Sequence, residues 1–451
     1  MKIPRLVLAG VSSGVGKTSI TCSLIYALKK KGFSVQPFKV GPDYIDPMYL
    51  SAIAKTKTFN LDVWLMGKNQ LLQSFIENSQ SDVSIIEGVM GLYDGFSGDS
   101  DFASTSHVAK LTQSPIILVL DASKSARSIA ATALGFQRFT RNSRISGIIL
   151  NKIGSKKHEN LCRQALEKIH IPIVGVIPKD PSIALDSRHL GLVSTEDAST
   201  IQKKTLNISR TISEFLDIDK VLEIMKNPVR LNQRPKTIQK KPSTTIAVAL
   251  DSSFNFYYYD NLKSLRNNGA RLKFFSPMTD KQIPHCDGMY IGGGFPEVLS
   301  DSLEKNSTMR NSIKKLSEQN LPIYAECGGL MYLTKSIHSG KKKYKMVGLF
   351  DAETIMTGKM KLNYTKGMIL SPNVISDKSH VLYGHEFHYS ELASISSDAK
   401  FAFHLGIGDG IRNHKDGLIQ YNTLASYGHL YFDSSDYAKI FVKNCIKQSR
   451  R

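Results

Sequence analysis

The stretch GVSSGVGKTS, residues 10–19, ends the apolar run RLVLAG and opens the amphipathic stretch TSITCSLIYALKKKG. A bound phosphate needs closely approaching backbone N–H groups, the positive end of a helix, a lysine and a hydroxyl. Gly14, Gly16, Lys17 and Thr18 supply these groups in that order. The strict phosphate-loop pattern has glycine at residue 11, where this chain has valine. A strand, GVGKT and a helix in succession still predict a loop that binds nucleotide phosphates.

The rest of the first half repeats this alternation of apolar runs and helix-like stretches. The runs SVQPFKV, VSIIEGV, PIILVLDA, ISGIILN and IPIVGVIP are rich in Val, Ile and Leu. Such strands are buried on both faces, so we predict an α/β fold with a doubly wound parallel sheet over residues 1–200. Residues 201–243 form a connecting segment with a basic, proline-containing end, which is typical of a linker. TTIAVALD then begins a second α/β unit, residues 244–451.

Two acidic segments follow strands of the first predicted sheet. KVGPDYIDP places Asp43 and Asp46 just past the second strand, and SIIEGVMGLYDG places Glu87 at a strand end with Asp94 seven residues later. Ligands of open α/β sheets bind beyond the carboxyl ends of strands, so these acids should converge on the phosphate loop. Mg²⁺ prefers oxygen ligands, which gives Glu87 and one aspartate a role beside a nucleotide. We therefore predict that this half is either a phosphoryl-transfer unit or a regulatory ATPase.

In the second half, AECGGLMYL puts Cys327 on a sharp turn between an apolar strand and a helix-like run. This is the layout of a nucleophile elbow, in which the helix N-terminus is expected to lower the pKa of the thiol from about 8.5 towards neutrality. Gly328 would allow a substrate to approach closely, and Gly293 and Gly294 in YIGGGFPEVL would form the oxyanion pocket. The alternative interpretation is a buried structural thiol.

A cysteine nucleophile also needs a general base. His429 in SYGHLYFDS is one candidate, and His385 and His388 in YGHEFHYS compete with it. The spacing of these residues does not choose among them.

Composition excludes several classes of protein. The formal net charge is +20, but the lysines are spread along the 451 residues without interleaved aromatic residues, so we expect a solvated surface and no nucleic-acid partner. No apolar stretch reaches the length of a membrane span, and we expect a cytoplasmic protein with no membrane partner. The five cysteines are scattered without a CxxC pair, which argues against disulfides and zinc sites.

The order of nine motifs resembles the cobyrinic acid a,c-diamide synthase family of cobalamin-pathway glutamine amidotransferases. These motifs are SSGVGKT, GPDYIDP, EGVMGLYDG, ILNKIGSKKH, RHLGL, GGGFPE, AECGGLMYL, YGHEFHYS and SYGHLYF, and they span nearly the whole chain. The resemblance implies a P-loop domain similar to dethiobiotin synthetase, joined to a class I glutamine amidotransferase domain. The implied reaction amidates the a and c acetate carboxylates of cobyrinic acid, with ATP, Mg²⁺ and L-glutamine, through acyl phosphates.

The resemblance also assigns site residues. Cys327 matches the nucleophile that hydrolyses glutamine and His429 its partner, whereas Tyr431 stands where many class I enzymes carry a glutamate, so the group that orients His429 is unidentified. The remaining implied assignments are catalytic roles for Asp46 and Asp94, metal binding by Thr18, Asp43 and Glu87, ATP binding by Gly14, Gly16, Lys17, Thr18 and Asn151, a glutamine site at Gly293, Gly294 and Gly328, and substrate contacts from Arg188, His189, His385 and His388.

Several alternatives stay open at this point. Nickel-sirohydrochlorin and hydrogenobyrinic acid are rival tetrapyrrole polycarboxylate substrates that would require nearly the same motifs, whereas the motifs of cobyric acid synthases fit less well. A partitioning or regulatory switch ATPase is the alternative from another class, although Ser12 stands where those proteins usually have a second lysine. The sequence also leaves open whether the chain forms a homodimer.

Overall fold

The computed structural model describes residues 2–141, 144–183, 198–232 and 239–450. The chain divides into two compact units, Met1–Lys236 and Thr237–Arg451. Among the helices in the described ranges, none combines the length and the apolar content needed to cross a lipid bilayer.

Unit 1 is built on a single parallel sheet. Its described strands are β1 (Arg5–Gly10), β2 (Val35–Val40), β3 (Phe59–Leu61), β4 (Val83–Glu87), β5 (Ile116–Asp121), β6 (Ile145–Ile153) and β7 (Ile173–Pro178). Their order is β3-β2-β4-β1-β5-β6-β7, and every neighbouring pair is parallel. The helices are α1 (Lys17–Lys30), α2 (Ile45–Ala54), α3 (Val63–Asn78), α4 (Thr105–Thr112), α5 (Ser128–Arg138), α6 (Lys156–Glu167), α7 (Ala198–Ser213) and α8 (Ile218–Met225), with a 3₁₀ turn at Pro181–Ile183. The predicted α/β fold with a parallel sheet is confirmed.

The loop between β1 and α1 sits over the carboxyl end of this sheet. All six residues of β1 are buried, and the chain then turns through Gly14 (φ 74°) and Gly16 (φ 92°) before α1 begins at Lys17. A residue with a Cβ is disfavoured at such positive φ values, which explains glycine at both positions. The loop after β4 packs against this turn, since the Leu92 N–H donates to the Gly10 carbonyl at 2.8 Å.

Two helices overlap the predicted connecting segment 201–243. Helix α7 begins before the segment and ends inside it, and α8 lies wholly inside it. Ile208 and Ile212 of α7 and Val221 of α8 are buried in the same core cluster as Leu24 of α1. These helices therefore belong to unit 1, and the division between the units falls inside the basic stretch that follows them.

Unit 2 combines parallel and antiparallel strands. Its described strands are β8 (Thr244–Ala249), β9 (Ala270–Phe275), β10 (Gly288–Ile291), β11 (Ile323–Glu326), β12 (Ser336–Ser339), β13 (Lys342–Lys345), β14 (Glu353–Ile369), β15 (Val381–Ala393), β16 (Lys400–Ile407), β17 (Lys415–Gln420), β18 (Thr423–Ser426) and β19 (His429–Leu430). The helices are α9 (Tyr259–Asn267), α10 (Ser300–Lys305), α11 (Ser307–Glu318), α12 (Gly328–Leu333) and α13 (Tyr437–Gln448), with a 3₁₀ turn at Phe432–Ser434.

The strand order of unit 2 is β13-β12-β14-β16-β17-β18-β11-β10-β8-β9, and β15 pairs with both β14 and β19. The portion β18-β11-β10-β8-β9 is parallel. Alternate residues of β8 enter two different cores, Ala247 and Ala249 on one face and Ile246 and Val248 on the other. Strands buried on both faces account for the unbroken apolar runs of this half.

Three strand ends position the site of unit 2. β11 lies between β10 and β18, with Glu326 in register with Ser426. β19 follows β18 after two residues and pairs with β15, so that His429 is opposite His385.

Candidate functional site

The phosphate loop places Lys17 at its centre. Lys17 is 8% exposed, and its Nζ donates to the carbonyls of Ser12 at 3.0 Å and Met90 at 2.6 Å. Met90 has φ 47°, a strained conformation for a residue with a side chain. The ammonium therefore links the two loops that end β1 and β4, and a nucleotide phosphate at this loop would compete with these carbonyls for it.

Lys39 was not among the predicted site residues, yet it lies at the centre of the acidic side chains. It is 2% exposed, and its Nζ donates to Asp46 Oδ2 at 2.6 Å and to Glu87 Oε1 at 2.8 Å. Asp43 Oδ2 lies 3.8 Å from the same Nζ. Removing a charge from water costs several kcal/mol per ion unless partners compensate it, so Lys39 and the two buried carboxylates hold each other in place. The sequence feature that could have identified Lys39 as a site residue is the presence of a lysine within the strand-forming run SVQPFKV.

The donors around Glu87 fit a magnesium ion that arrives with a nucleotide. Thr18 Oγ1 donates to Glu87 Oε1 at 2.9 Å, and Glu87 Oε2 is buried without a hydrogen-bond partner among the described residues. Mg²⁺ keeps several waters and binds through one or two carboxylates and the phosphates of its nucleotide. In the described part of the chain, no group of three or more His, Cys, Asp or Glu side chains could hold a metal by itself.

The other predicted residues of unit 1 occupy less central positions. Asp43 Oδ1 accepts hydrogen bonds from the backbone N–H groups at the start of α2, at 2.8 and 3.2 Å. Asp94 is exposed, and its Oδ2 accepts a hydrogen bond from the Gly91 N–H at 2.7 Å. Asn151 lies against the phosphate loop, where its Nδ2 donates to the Val15 carbonyl at 2.8 Å. A metal ligand at Asp43, a catalytic Asp94 and an adenine contact at Asn151 stay predictions.

The turn at Cys327 has the geometry of a nucleophile elbow. Cys327 follows β11 directly, precedes α12 and has φ 48° and ψ −103°. Its N–H donates to the Ser426 carbonyl at 2.7 Å, and its carbonyl accepts from the Met331 N–H at 3.0 Å. A non-glycine residue held at positive φ costs about 1–3 kcal/mol, and such strain is typical of functional sites.

The expected activation of the thiol by the helix end is wrong for this state of the protein. Cys327 is 4% exposed, and its Sγ–H donates to the Phe387 carbonyl at 3.4 Å. Burial, and second to it the negative charge of Glu297, raises the pKa of the Cys327 thiol well above its ordinary value. Desolvation therefore outweighs the six-residue helix α12, and another group must remove the proton before the sulfur can attack.

Glu326 lies where a group that orients His429 would be, a position that the sequence left unidentified. His429 Nδ1 lies 3.4 Å from Glu326 Oε2, and both side chains are about 1% exposed. The same carboxylate accepts hydrogen bonds from the hydroxyls of Tyr290 at 2.8 Å and Tyr324 at 2.7 Å and from the Leu430 N–H at 3.1 Å. A carboxylate facing Nδ1 favours the tautomer that carries its proton there and leaves Nε2 to accept one. Because Glu326 precedes Cys327, one turn carries both the predicted nucleophile and the carboxylate that faces its predicted base.

Of the predicted oxyanion glycines, Gly293 lies against His429, and Gly294 lies beside Gly328, the residue after Cys327. A Cβ placed on Gly293 would come within 2.6 Å of His429 Cε1. A Cβ on Gly328 would lie 2.9 Å from Pro296 Cδ and 3.1 Å from the Gly294 nitrogen. Distances below 3.0 Å do not occur for real Cβ atoms, so both positions need glycine, and a side chain on Gly328 would cover the Gly294 N–H.

The structure corrects the substrate-binding assignments of His385 and His388. They are 1% and 4% exposed, so neither can offer a cationic surface to the carboxylates of a large substrate in this conformation. His385 Nε2 is 2.5 Å from the Tyr258 hydroxyl and its ring stacks on His429, whereas His388 stacks on Tyr427. Burial lowers the pKa of His385 well below its ordinary value, so a neutral ring faces His429. The other two predicted substrate contacts, Arg188 and His189, lie outside the described residues.

Comparison with known proteins gives matches to both halves. Residues 6–193 match the CobQ/CobB/MinD/ParA nucleotide binding domain, and residues 245–437 match the CobB/CobQ-like glutamine amidotransferase domain. A cobyrinate a,c-diamide synthase from Listeria innocua is 41% identical over 434 residues, which cover 95% of this chain and 96% of that protein. Proteins of the same name from Methanosarcina barkeri and Dehalococcoides mccartyi are 39% and 40% identical, over 95% and 98% of this chain and 93% and 98% of their own lengths.

Proposed function

This chain belongs to the cobyrinate a,c-diamide synthase family, and from that premise we propose that it is a ligase that amidates the a and c acetate carboxylates of cobyrinic acid. Glutamine supplies the nitrogen, and ATP activates each carboxylate as an acyl phosphate. Activation is necessary because a carboxylate does not react with ammonia unaided. The observation that carries the proposal is the elbow at Cys327, whose preceding residue Glu326 faces Nδ1 of His429, in one chain with a phosphate loop.

In the glutaminase half, His429 Nε2 takes the proton of Cys327 and the thiolate attacks the amide carbon of glutamine. The oxyanion that forms is held by the N–H groups of Gly294 and Gly328, whose proximity across the pocket supports this role. His429 then gives its proton to the leaving ammonia, and water, activated by the same ring, releases glutamate from the thioester. Glu326 stabilises the imidazolium that exists between these two proton transfers.

In the ligase half, Lys17 and the N–H groups of the loop hold the phosphates of ATP. Mg²⁺ bound by Thr18, Glu87 and the nucleotide would neutralise phosphate charge and orient the γ-phosphoryl group. Lys39 keeps the Glu87 and Asp46 carboxylates in fixed positions at this edge of the sheet. The substrate carboxylate attacks the γ-phosphorus, ADP leaves, and ammonia displaces phosphate from the acyl carbon.

The test is mass spectrometry of the purified protein incubated with ATP, Mg²⁺ and glutamine. Cobyrinic acid, hydrogenobyrinic acid and nickel-sirohydrochlorin are offered in parallel. Each amidation exchanges OH for NH₂, so two exchanges on cobyrinic acid are expected. Amidation of only one of the other tetrapyrroles would replace the substrate assignment, and ATP hydrolysis without any amidation would contradict the proposal and favour a switch ATPase.

Two variants separate the halves. Cys327→Ala should abolish amidation from glutamine and leave amidation from added ammonium salts intact, because only the glutaminase step needs the thiol. Lys17→Ala should abolish amidation from both nitrogen sources, because the carboxylate is not activated. Loss of both activities in Cys327→Ala, with the fold intact, would mean that the cysteine is structural.

A further inference from the structure

The loop that follows β10 packs against the turn that carries Cys327. Residues 292–297 read GGGFPE, and the contacts of Pro296 and Gly294 with Gly328 bring this loop against the residue that follows Cys327. Glu297 is the next residue after Pro296 and is partly buried. Its charge is close enough to Cys327 to oppose formation of the thiolate.

No side chain among the described residues pairs with Glu297 in a way that would explain its position. Among the described residues it forms no ion pair and accepts no side-chain hydrogen bond from another residue. The nearby helix α10 begins at Ser300, whose hydroxyl donates to the backbone carbonyls of Pro296 and Glu297, not to the carboxylate. Burial raises the pKa of Glu297 to about 7, as expected of a carboxyl group without a cation nearby. Burial thus disfavours the charged form of Glu297, and the charge of Glu297 in turn disfavours the thiolate of Cys327. Both effects make the site suited to an arriving cation.

We propose that Glu297 binds the α-ammonium group of glutamine and so selects the free amino acid as the nitrogen donor. This inference rests on the proposed glutaminase function. Glutamine is a zwitterion whose ammonium group is four bonds from the amide carbon, a reach of about 5 Å. A carboxylate one loop away from the attacking sulfur is therefore suitably placed to pair with it. Side-chain amides that lack a free α-ammonium group gain nothing from this contact.

The same contact couples substrate binding to activation of the nucleophile. With the ammonium group in place, the charge of Glu297 is compensated and no longer opposes the thiolate at Cys327. The thiol then loses its proton to His429 more readily when glutamine is bound than when the pocket is empty. An amide without the ammonium group leaves this opposition in force, so it should react more slowly as well as bind more weakly.

The experiment compares hydrolysis of glutamine with that of glutaramate, which is glutamine without the α-amino group. For the unmodified protein we expect kcat/KM for glutamine to exceed that for glutaramate by a factor of about 10 to 100, the range for a charge-assisted contact. Glu297→Gln should lower kcat/KM for glutamine and, because it also removes the charge that opposes the thiolate, raise kcat/KM for glutaramate, so that the two values lie within about threefold of each other. Asp301→Asn is the matched control, because it removes a carboxylate from the exposed side of α10 and should preserve the preference.

Each outcome decides one of the two proposals. If the unmodified protein hydrolyses neither compound, the glutaminase function fails and this inference fails with it. If Glu297→Gln loses both activities equally, or keeps the preference for glutamine, the glutaminase function stands and the role of Glu297 is refuted. Amidation from added ammonium salts by Glu297→Gln checks that the chain is folded, and should that variant not fold, Glu297→Asp, which keeps the charge on a shorter arm, should show an intermediate preference.

Discussion

Replacing Glu326 by glutamine tests whether this residue orients the base of the glutaminase site. The amide keeps the size of the side chain, but it can place an NH₂ group opposite His429 Nδ1, which lies 3.4 Å from Oε2. An NH₂ group there favours the tautomer with the proton on Nε2, and such a ring cannot accept the proton of Cys327. A hydrogen bond to a charged group contributes about 1.5–3 kcal/mol, and 3.4 Å is long for one, so the lower part of that range applies. At 1.36 kcal/mol per factor of ten, we expect kcat for glutamine hydrolysis to fall about 10- to 50-fold.

The assay measures glutamate release and, separately, amidation from added ammonium salts. The second activity should be unchanged in Glu326→Gln, because the ligase half does not use this residue. Tyr324→Phe is the control, since it removes the hydroxyl that donates to Glu326 Oε1 at 2.7 Å and leaves the oxygen that faces His429, and we expect less than a threefold change in kcat. A kcat within twofold of the unmodified protein, or an equal fall in both activities, would refute the orienting role.

Three further changes test other parts of the structure. Lys39→Met leaves two buried carboxylates without their cation, so the free energy of unfolding of unit 1 should fall by about 3–5 kcal/mol, measured in urea by the fluorescence of Trp64, the single tryptophan of the chain. Gly293→Ala places a Cβ 2.6 Å from His429 Cε1 and should lower glutaminase activity about 10- to 100-fold while ammonia-dependent amidation persists. For Glu297, burial raises the pKa from its ordinary 4.5 to about 7, so the folded chain binds this proton more tightly and stability falls as the pH rises between those values, by at most about 3 kcal/mol. Glu297→Gln should therefore exceed the unmodified protein in urea stability at pH 8 and match it at pH 4, and no difference at pH 8 would contradict this account.

Local sequence was sufficient wherever a motif and its structural context are neighbours in the chain. GVGKT after an apolar strand predicted the loop that holds Lys17, and AECGG predicted the elbow at Cys327, because each places its residues within one turn. The parallel sheet of unit 1 followed from strands that are apolar on both faces. The two turns depend on contacts over a few residues, and the class of sheet follows from the apolar pattern within each strand, so the sequence carries both directly.

The roles of Lys39 and Glu326 depended on pairing between distant strands. Lys39 meets Glu87 only because β2 and β4 are neighbours, and Glu326 meets His429 only because β19 returns beside the end of β11. A pattern read along the chain does not pair Lys39 with Glu87 or Glu326 with His429, since these partners are 48 and 103 residues apart.

Burial was the other quantity that only the tertiary structure decided. The residue types of His385 and His388 suited a surface that binds anions. Strand β15 instead carries both side chains into the interior of unit 2, where His385 faces His429. The thiol of Cys327 has the helix end that the sequence predicted, yet desolvation by the surrounding chain controls its protonation. The sequence by itself determined which chemical groups are available and the local turns that present them. Their partners and their ionisation were set by the packing of strands far apart in the chain, because the energy of a charge depends on the water it has lost and on the groups that replace that water.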